Sequence, residues 1–396
     1  MNITKCAALS MCAAMVVSLT QGAYGGQEPK KPGKALPAER TIGHIEPVFE
    51  FYDAMPTGVT RAPNGRIFVN YPRWGDDVPF TVGEIVGGKV VAYPNAEVNR
   101  EDAAHPERNL ISVQSVVADY RNRLWILDTA APKFSAPVQG GAKLVAVDLA
   151  TNRVVKTIIF KPDVLLTTTY VNDVRFDFRV GKEGIAYITD SSANGPGGII
   201  VVDLATGDAW RKLTNHPSAQ VDPSFVAVVE GKEMATTGPD GKRAPLHIAS
   251  DGIALSSDGS TLYYSPLSSR HLYSVPTALL RDRNATESQV GDAVKDLGEK
   301  GASDGLEADA SGAVYAGDFE RNSIRKMRPD GTWETIAHDP RILWPDTMSV
   351  GTDGYLYFTA NQLHRQALFN DGKDLRQKPY TLFRIKVDAA PVELKP

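Results

Sequence analysis

The sequence predicts an all-β protein, a six-bladed β-propeller closed by an N-terminal strand. Three observations carry this expectation. A strand–turn–strand unit recurs six times, a second hairpin follows most copies, and the last copy lacks one strand that an early segment can supply. The copies begin at Thr57 (TGVTRAPNGRIFV), Gln114 (QSVVADYRNRLWIL), Asn172 (NDVRFDFRVGKEGIAYIT), Asp251 (DGIALSSDGSTLYYS), Asp304 (DGLEADASGAVYAG) and Asp346 (DTMSVGTDGYLYFT).

Each copy opens on a polar residue, enters a short strand, turns and returns. The turns Pro63-Asn64-Gly65, Asp258-Gly259 and Asp353-Gly354 supply residues that tolerate positive φ, as hairpins require. The second hairpins repeat as well. VDLAT occurs in both 144–160 and 199–213, and 323–337 has the same shape. The last unit shows strands near 348–351, 355–359 and 380–386. EPVFEFY (46–52) is expected to be its fourth strand, latching the ring and removing an exposed edge. A short helix is expected around 277–296.

Composition agrees. The chain has 396 residues, 42% hydrophobic and 23% charged, which excludes a disordered chain and a small disulfide scaffold. Net charge is −4 and no basic stripe occurs, which argues against nucleic acid as a partner. Lys5, an apolar run from Cys6 to Leu19 and small residues around Ala23 read as a secretory signal cleaved near Gly25. That run is short for a membrane span, so a secreted or periplasmic protein with no membrane association after cleavage is expected. Cys6 and Cys12 would leave with the signal. The expected organisation is a signal peptide at 1–25, a flexible Pro/Gly/Lys leader at 26–41 and one propeller domain at 42–396. Oligomeric state is not legible.

In a propeller the innermost strands line a central channel. With the copies in register, Thr57, Gln114, Asn172, Asp251, Asp304 and Asp346 face it at one mouth, followed by apolar packing positions from Val59 to Met348. Three carboxylates in a narrow channel repel one another and need a cation, shared protons or ordered water. Oxygen ligands without Cys favour Ca²⁺ or another hard divalent cation, with Asn172, Asp251 and Asp304 as its ligands. The alternative is that each Asp accepts backbone N–H bonds and holds water.

The segments after each second strand return to the same mouth. There Tyr71, Trp74, Phe134 and Phe319 are placed to stack a flat small-molecule ligand, and Arg270 to hold an anionic group. The connection 214–249 is long enough for a lid. His247, with Asp251, is the candidate catalytic acid–base; His271 and His364 lie on rim loops. There is no nucleophile elbow, HExxH, Walker loop or dinucleotide fingerprint.

SVQSVVADYRNRLWILDTA (112–130), TYVNDVRFD (169–177) and DGIALSSDGSTLYYSPLSSR (251–270) resemble the major royal jelly protein and Yellow family, YYSPLSSR most specifically. The resemblance runs from about 45 to 390. It implies a secreted six-bladed propeller. Insect members often carry disulfides; without them in the mature chain, this sequence resembles the family's microbial branch, which is related to L-dopachrome tautomerase. Some members are linked to dopachrome conversion, others bind aromatic amines in the channel, and others are nutritive or structural. Under the dopachrome-type reading Asn172, Asp251 and Arg270 contact the ligand. The chain is also similar to gluconolactonase-like propellers, whose metal ligands are a Glu, an Asn and an Asp. Asn172 and Asp251 match two of these, but Thr57 stands at the Glu position. Lactone hydrolysis would then need Asp304 or Asp346 to compensate. A binding protein without turnover is the third reading.

Overall fold

The structure, a computed structural model, describes residues 40–102, 104–237 and 241–396. The expected signal at 1–25, both cysteines and the leader up to residue 39 lie outside the described residues.

Six four-stranded antiparallel sheets succeed one another along the chain. Blade 1 is Val59–Arg61, Ile67–Asn70, Val82–Val86 and Lys89–Ala92. Blade 2 is Val113–Ala118, Arg123–Asp128, Lys143–Asp148 and Arg153–Ile159. Blade 3 is Val171–Asp177, Ile185–Asp190, Gly198–Asp203 and Ala209–Lys212. Blade 4 is Ser250–Leu255, Thr261–Pro266, His271–Pro276 and Lys295–Glu299. Blade 5 is Leu306–Ala308, Val314–Asp318, Ser323–Met327 and Trp333–His338. Blade 6 is Pro345–Val350, Tyr355–Ala360 and Tyr380–Lys386, completed by Ile45–Phe51.

That last strand is the expected latch. It pairs antiparallel with Tyr380–Lys386, so the N-terminal segment closes the ring on the last blade. The expected helix is two short ones, Thr277–Arg281 and Glu287–Asp292, inserted before the outer strand of blade 4. The second starts with a capping box between Thr286 and Gln289.

Local chemistry explains the repeats. In both VDLAT segments the Asp side chain builds the turn. Asp148 accepts from the N–H groups of Ala150 and Thr151 at 3.1 and 2.8 Å, and Asp203 from those of Ala205 and Thr206 at 2.8 and 3.3 Å. The next positive-φ residue is Asn152 in one copy and Gly207 in the other. Between blades, apolar faces interlock. Trp125, Phe176 and Ile188 join blades 2 and 3; Tyr187, Leu262 and Tyr264 join blades 3 and 4.

The connection 214–249 forms two small hairpins packed on one face of the ring. Its Phe225, Val229, Met234 and Leu246 share a buried cluster with Tyr71, Phe319, Trp344 and Leu363. Burial of these apolar groups, rather than regular pairing with a blade, holds the insertion down.

Candidate functional site

The six candidate ring residues are all buried, from 0% exposure at Thr57 to 9% at Asp304. The backbone delivers them by irregularity. In blades 2, 3, 4 and 6 the pairing of the inner strand with its neighbour slips at Val113/Ser115, Val171/Val174, Ser250/Gly252 and Pro345/Met348. These slips bracket Gln114, Asn172, Asp251 and Asp346. A bulge turns a side chain out of the alternation that would otherwise bury it between blades.

The acids form one electrostatic unit. Asp251 Oδ1 accepts from Asn172 Nδ2 at 2.8 Å and Oδ2 from Ser191 Oγ at 2.9 Å. Asp304 Oδ2 accepts from the Trp344 indole N–H at 2.8 Å. Asp346 Oδ2 accepts from Asn361 Nδ2 at 2.7 Å. Burial, and then the neighbouring Asp304 carboxyl, raise Asp251 and Asp346 well above the usual carboxylate range. Burial lifts Asp304 to about 6 against the opposing Trp344 bond.

A second polar layer, at the ends of the second strands, escaped the sequence reading. Asp128 pairs with Lys143 at 2.8 Å, Asp190 with Arg211 at 2.8 Å and Asp318 with Arg321 at 3.0 Å. Asn70 donates to Thr57 Oγ1 and to the carbonyls of Val113 and Gln114. Asn70 thereby ties blade 1 to blade 2, while each of the three acids is paired within its own blade. The copies end in IFVN, WILD, YITD, YAGD and FTAN, so the signal was present as a recurring polar residue closing the second strand. The contrast with the ring is chemical. The second-layer acids have cations; among the described residues Asp251, Asp304 and Asp346 have none within 4 Å. Their charge is managed by protons and hydrogen bonds.

On the side of blades 1 to 3 the mouth carries an aromatic stack. Trp74 and Phe134 lie 5.0 Å apart at 20°, and Phe134 packs on Tyr170 at 5.3 Å. Trp74 Nε1 donates to Tyr170 OH at 2.8 Å, and Tyr170 OH donates to Gln114 Oε1 at 2.9 Å. Trp74 thus reaches the ring through Tyr170, which the sequence reading did not single out. Phe134 is 47% exposed. It and Lys133 hold left-handed φ of 57° and 55°, a costly conformation that presents the ring at the surface.

Two expected roles meet a different geometry. His247 is exposed and is not brought to Asp251. Leu246 O accepts from Ser268 Oγ at 2.6 Å and Ile248 N–H donates to the same oxygen at 2.9 Å, so the extended chain turns His247 outward. Arg270 spends its guanidinium on the protein. It bonds Glu320 at 2.8 and 2.6 Å and Val226 O at 3.1 Å, and lies over the Phe225 ring at 4.8 Å. Glu320 also accepts the Val228 N–H at 2.8 Å, so this pair clamps the insertion. A second clamp joins Glu230 of the insertion to His364 Nε2 at 2.9 Å and to Arg365. The buried His364 ring stacks beside Trp344 at 6.0 Å, and Trp344 bonds Asp304, so the clamp touches the ring indirectly.

The donor set does not fit a divalent ion as arranged. Both Asp251 oxygens are engaged, and Asn172 turns its N–H, not its oxygen, toward Asp251. Among the described residues no group of three or more His, Cys, Asp or Glu could hold a metal ion.

A family model described as Major royal jelly protein matches residues 111–392. Protein yellow of Drosophila subobscura is 27% identical over 320 residues, 76% of this chain and 53% of that protein. Major royal jelly protein 5 of Apis mellifera is 28% identical over 227 residues, 54% of this chain and 34% of that protein. The chain spans about half the length, or less, of these curated relatives. Among solved structures, a luciferin-regenerating enzyme superposes with a TM-score of 0.54 at 12% identity, covering 89% of this chain and 100% of that one. A gluconolactonase from Xanthomonas campestris gives 0.51 at 11%, covering 89% and 99%. At such identities the likeness is one of fold. No helix among the described residues is long and apolar enough to cross a membrane.

Proposed function

The chain belongs to the major royal jelly protein family, and from that premise we propose that it is an exported protein that binds a small cyclic or aromatic molecule at the channel mouth and moves a proton on it, as a dopachrome tautomerase does. One observation carries the reading. Three buried carboxyls without cationic partners share one mouth with a half-exposed aromatic stack. Tautomerisation needs no oxidant and no net proton. One group takes a proton from a ring carbon and another returns one elsewhere. Coupled carboxyls with raised pKa suit this task, because near neutral pH one member keeps its proton while another accepts. Asp251 and Asp304 are assigned these roles. Asn172 and Ser191 hold Asp251 in place and Trp344 holds Asp304. Trp74 and Phe134 supply the stacking face.

The test is dopachrome consumption, followed by the loss of its visible absorbance, with thermal melts of the same samples. Turnover lost in Asp251→Asn, with the ligand-induced rise in melting temperature retained, supports proton transfer. A rise without turnover in the unaltered chain makes it a binding protein. Neither effect, with dopachrome or an aromatic amine, overturns the proposal. A rise with Ca²⁺ that vanishes in Asp251→Ala and Asp304→Ala would instead favour the lactone hydrolase.

A further inference from the structure

Two lysines are almost completely buried, and the fold treats them differently. Lys143 is 1% exposed and Lys300 is 0%. Lys143 Nζ donates to Asp128 Oδ2 and Asn109 O at 2.8 Å, and to Pro106 O and Gly141 O at 2.9 Å. An ammonium has three hydrogens, so Lys143 is saturated and its charge is cancelled. Lys300 Nζ donates once, to the carbonyl of Gly301 at 3.0 Å. Among the described residues no carboxylate lies within ion-pair distance of it. Two of its hydrogens have no acceptor. Burial draws its pKa down to about 7.

Its position is close to the ring, four residues before Asp304. Lys300 begins the segment that leads from the outer strand of blade 4 to Asp304. Its N–H is held by Arg270 O at 2.8 Å and its carbonyl by Arg325 Nη1 at 2.7 Å. The charged groups that act on its amine are Asp318 and Asp251, which favour the cation, and Arg325 and Arg270, which oppose it. The same sector, the mouth ends of blades 3 to 5, holds buried hydroxyls without partners on Ser192, Ser250 and Ser303. Ser250 and Ser303 directly precede the ring residues Asp251 and Asp304. Against these donors stands one unpartnered acceptor there, Asp318 Oδ1. Unpaired buried donors are costly, and each calls for a physical reason, among them strain, a catalytic role or a bound water or ion. Burial and the neighbouring Asp304 carboxyl raise Asp251 and Asp346 well above the usual carboxylate range, which lessens the negative charge an incoming anion meets.

We propose that this sector is an anion subsite in which Lys300 takes the carboxylate of the ligand, so that the molecule bound at the mouth is a small aromatic acid. The inference deepens the preceding reading and rests on it for the aromatic part alone. Lys300 is a binding group here. Its free hydrogens are matched by the ligand's carboxylate oxygens, and the seryl hydroxyls can turn to donate to the same group.

The test uses three probes on the full chain and on Lys300→Met, by calorimetry and thermal melting. The probes are indole-2-carboxylate, the uncharged indole-2-carboxamide, and formate balanced against chloride. The unaltered chain is expected to bind the acid about ten- to a hundredfold tighter than the amide, the worth of a charged hydrogen bond. Formate should raise its melting temperature. Lys300→Met should bind the amide as before, lose the preference for the acid and lose the formate effect. A preference retained in Lys300→Met, or formate acting on both proteins alike, overturns the subsite. Amide binding with neither an acid preference nor a formate effect ends the subsite and leaves the aromatic reading standing. A formate effect confined to the unaltered chain, with no indole binding, does the reverse. The unaltered chain also tests the idea without a variant: its preference for the acid should fall as pH rises above about 7, where the amine loses its proton. A preference unchanged across that range would refute it.

Discussion

Replacing Asp304 by Asn isolates the cost of the ring carboxyls. Asp304 is buried and its pKa rises from 3.8 to about 6. In the unfolded chain the group ionises near 3.8; in the folded chain it keeps its proton up to about 6. Between those values the folded state holds more protons, so stability falls as pH rises. The contribution is fully present below the unfolded pKa and is lost once pH passes the folded one. A shift of roughly two units at about 1.4 kcal/mol each gives about 3 kcal/mol. Asn keeps an oxygen for the Trp344 indole N–H and cannot ionise. Asp304→Asn should therefore match the unaltered chain near pH 4 and exceed it by up to about 3 kcal/mol at pH 8. Denaturant midpoints of both proteins at a series of pH values measure the difference directly. Curves that stay parallel from acid to alkaline pH would mean that Asp304 ionises freely, and the shared-proton reading of the mouth would fall with it.

Four further outcomes are expected. Lys143→Met should cost about 3–5 kcal/mol in denaturant melts, because it leaves the buried Asp128 without its counter-charge and three carbonyls without their lysine donor. Trp344→Phe keeps the stack on Phe319 but removes the donor to Asp304 Oδ2; it should raise the Asp304 pKa further and move the pH-dependent loss of stability to higher pH. Glu230→Gln should speed hydrogen exchange at Val228–Val229 and Lys232–Glu233 while changing the global midpoint by less than about 1 kcal/mol, since the clamp to His364 and Arg365 is partly exposed. Phe51→Ala, on the latch strand, should cost about 3–5 kcal/mol, because the buried ring packs on Phe49 and Tyr71 where the propeller closes.

The fold was legible because each of its signals is local. A turn needs Gly, Asn or Asp within two or three residues, a strand needs alternation, and six repetitions average out the noise at each copy. The latch was legible for a topological reason: an incomplete last blade demands a strand from elsewhere. The candidate site was readable only as a set of positions. Thr57, Gln114, Asn172, Asp251, Asp304 and Asp346 could be aligned by register, yet register does not say which oxygens are already engaged. Tyr170 bridges Trp74 to Gln114, Trp344 reaches Asp304 from 40 residues away, and Glu320 claims Arg270 from 50 residues away. His247 looked apt four residues before Asp251, but one serine holds the residues on either side of it and turns it outward.

The sequence by itself determined the six blades, their order and closure, and the polar ring at one mouth, since these follow from periodicity along the chain. The tertiary structure alone decided which acids are neutralised by Lys143, Arg211 and Arg321 and which must share protons. It also decided that Lys143 is satisfied while Lys300 is not. Charge compensation in a buried site depends on distances of 3 to 4 Å between residues far apart in sequence, and no linear pattern encodes those distances.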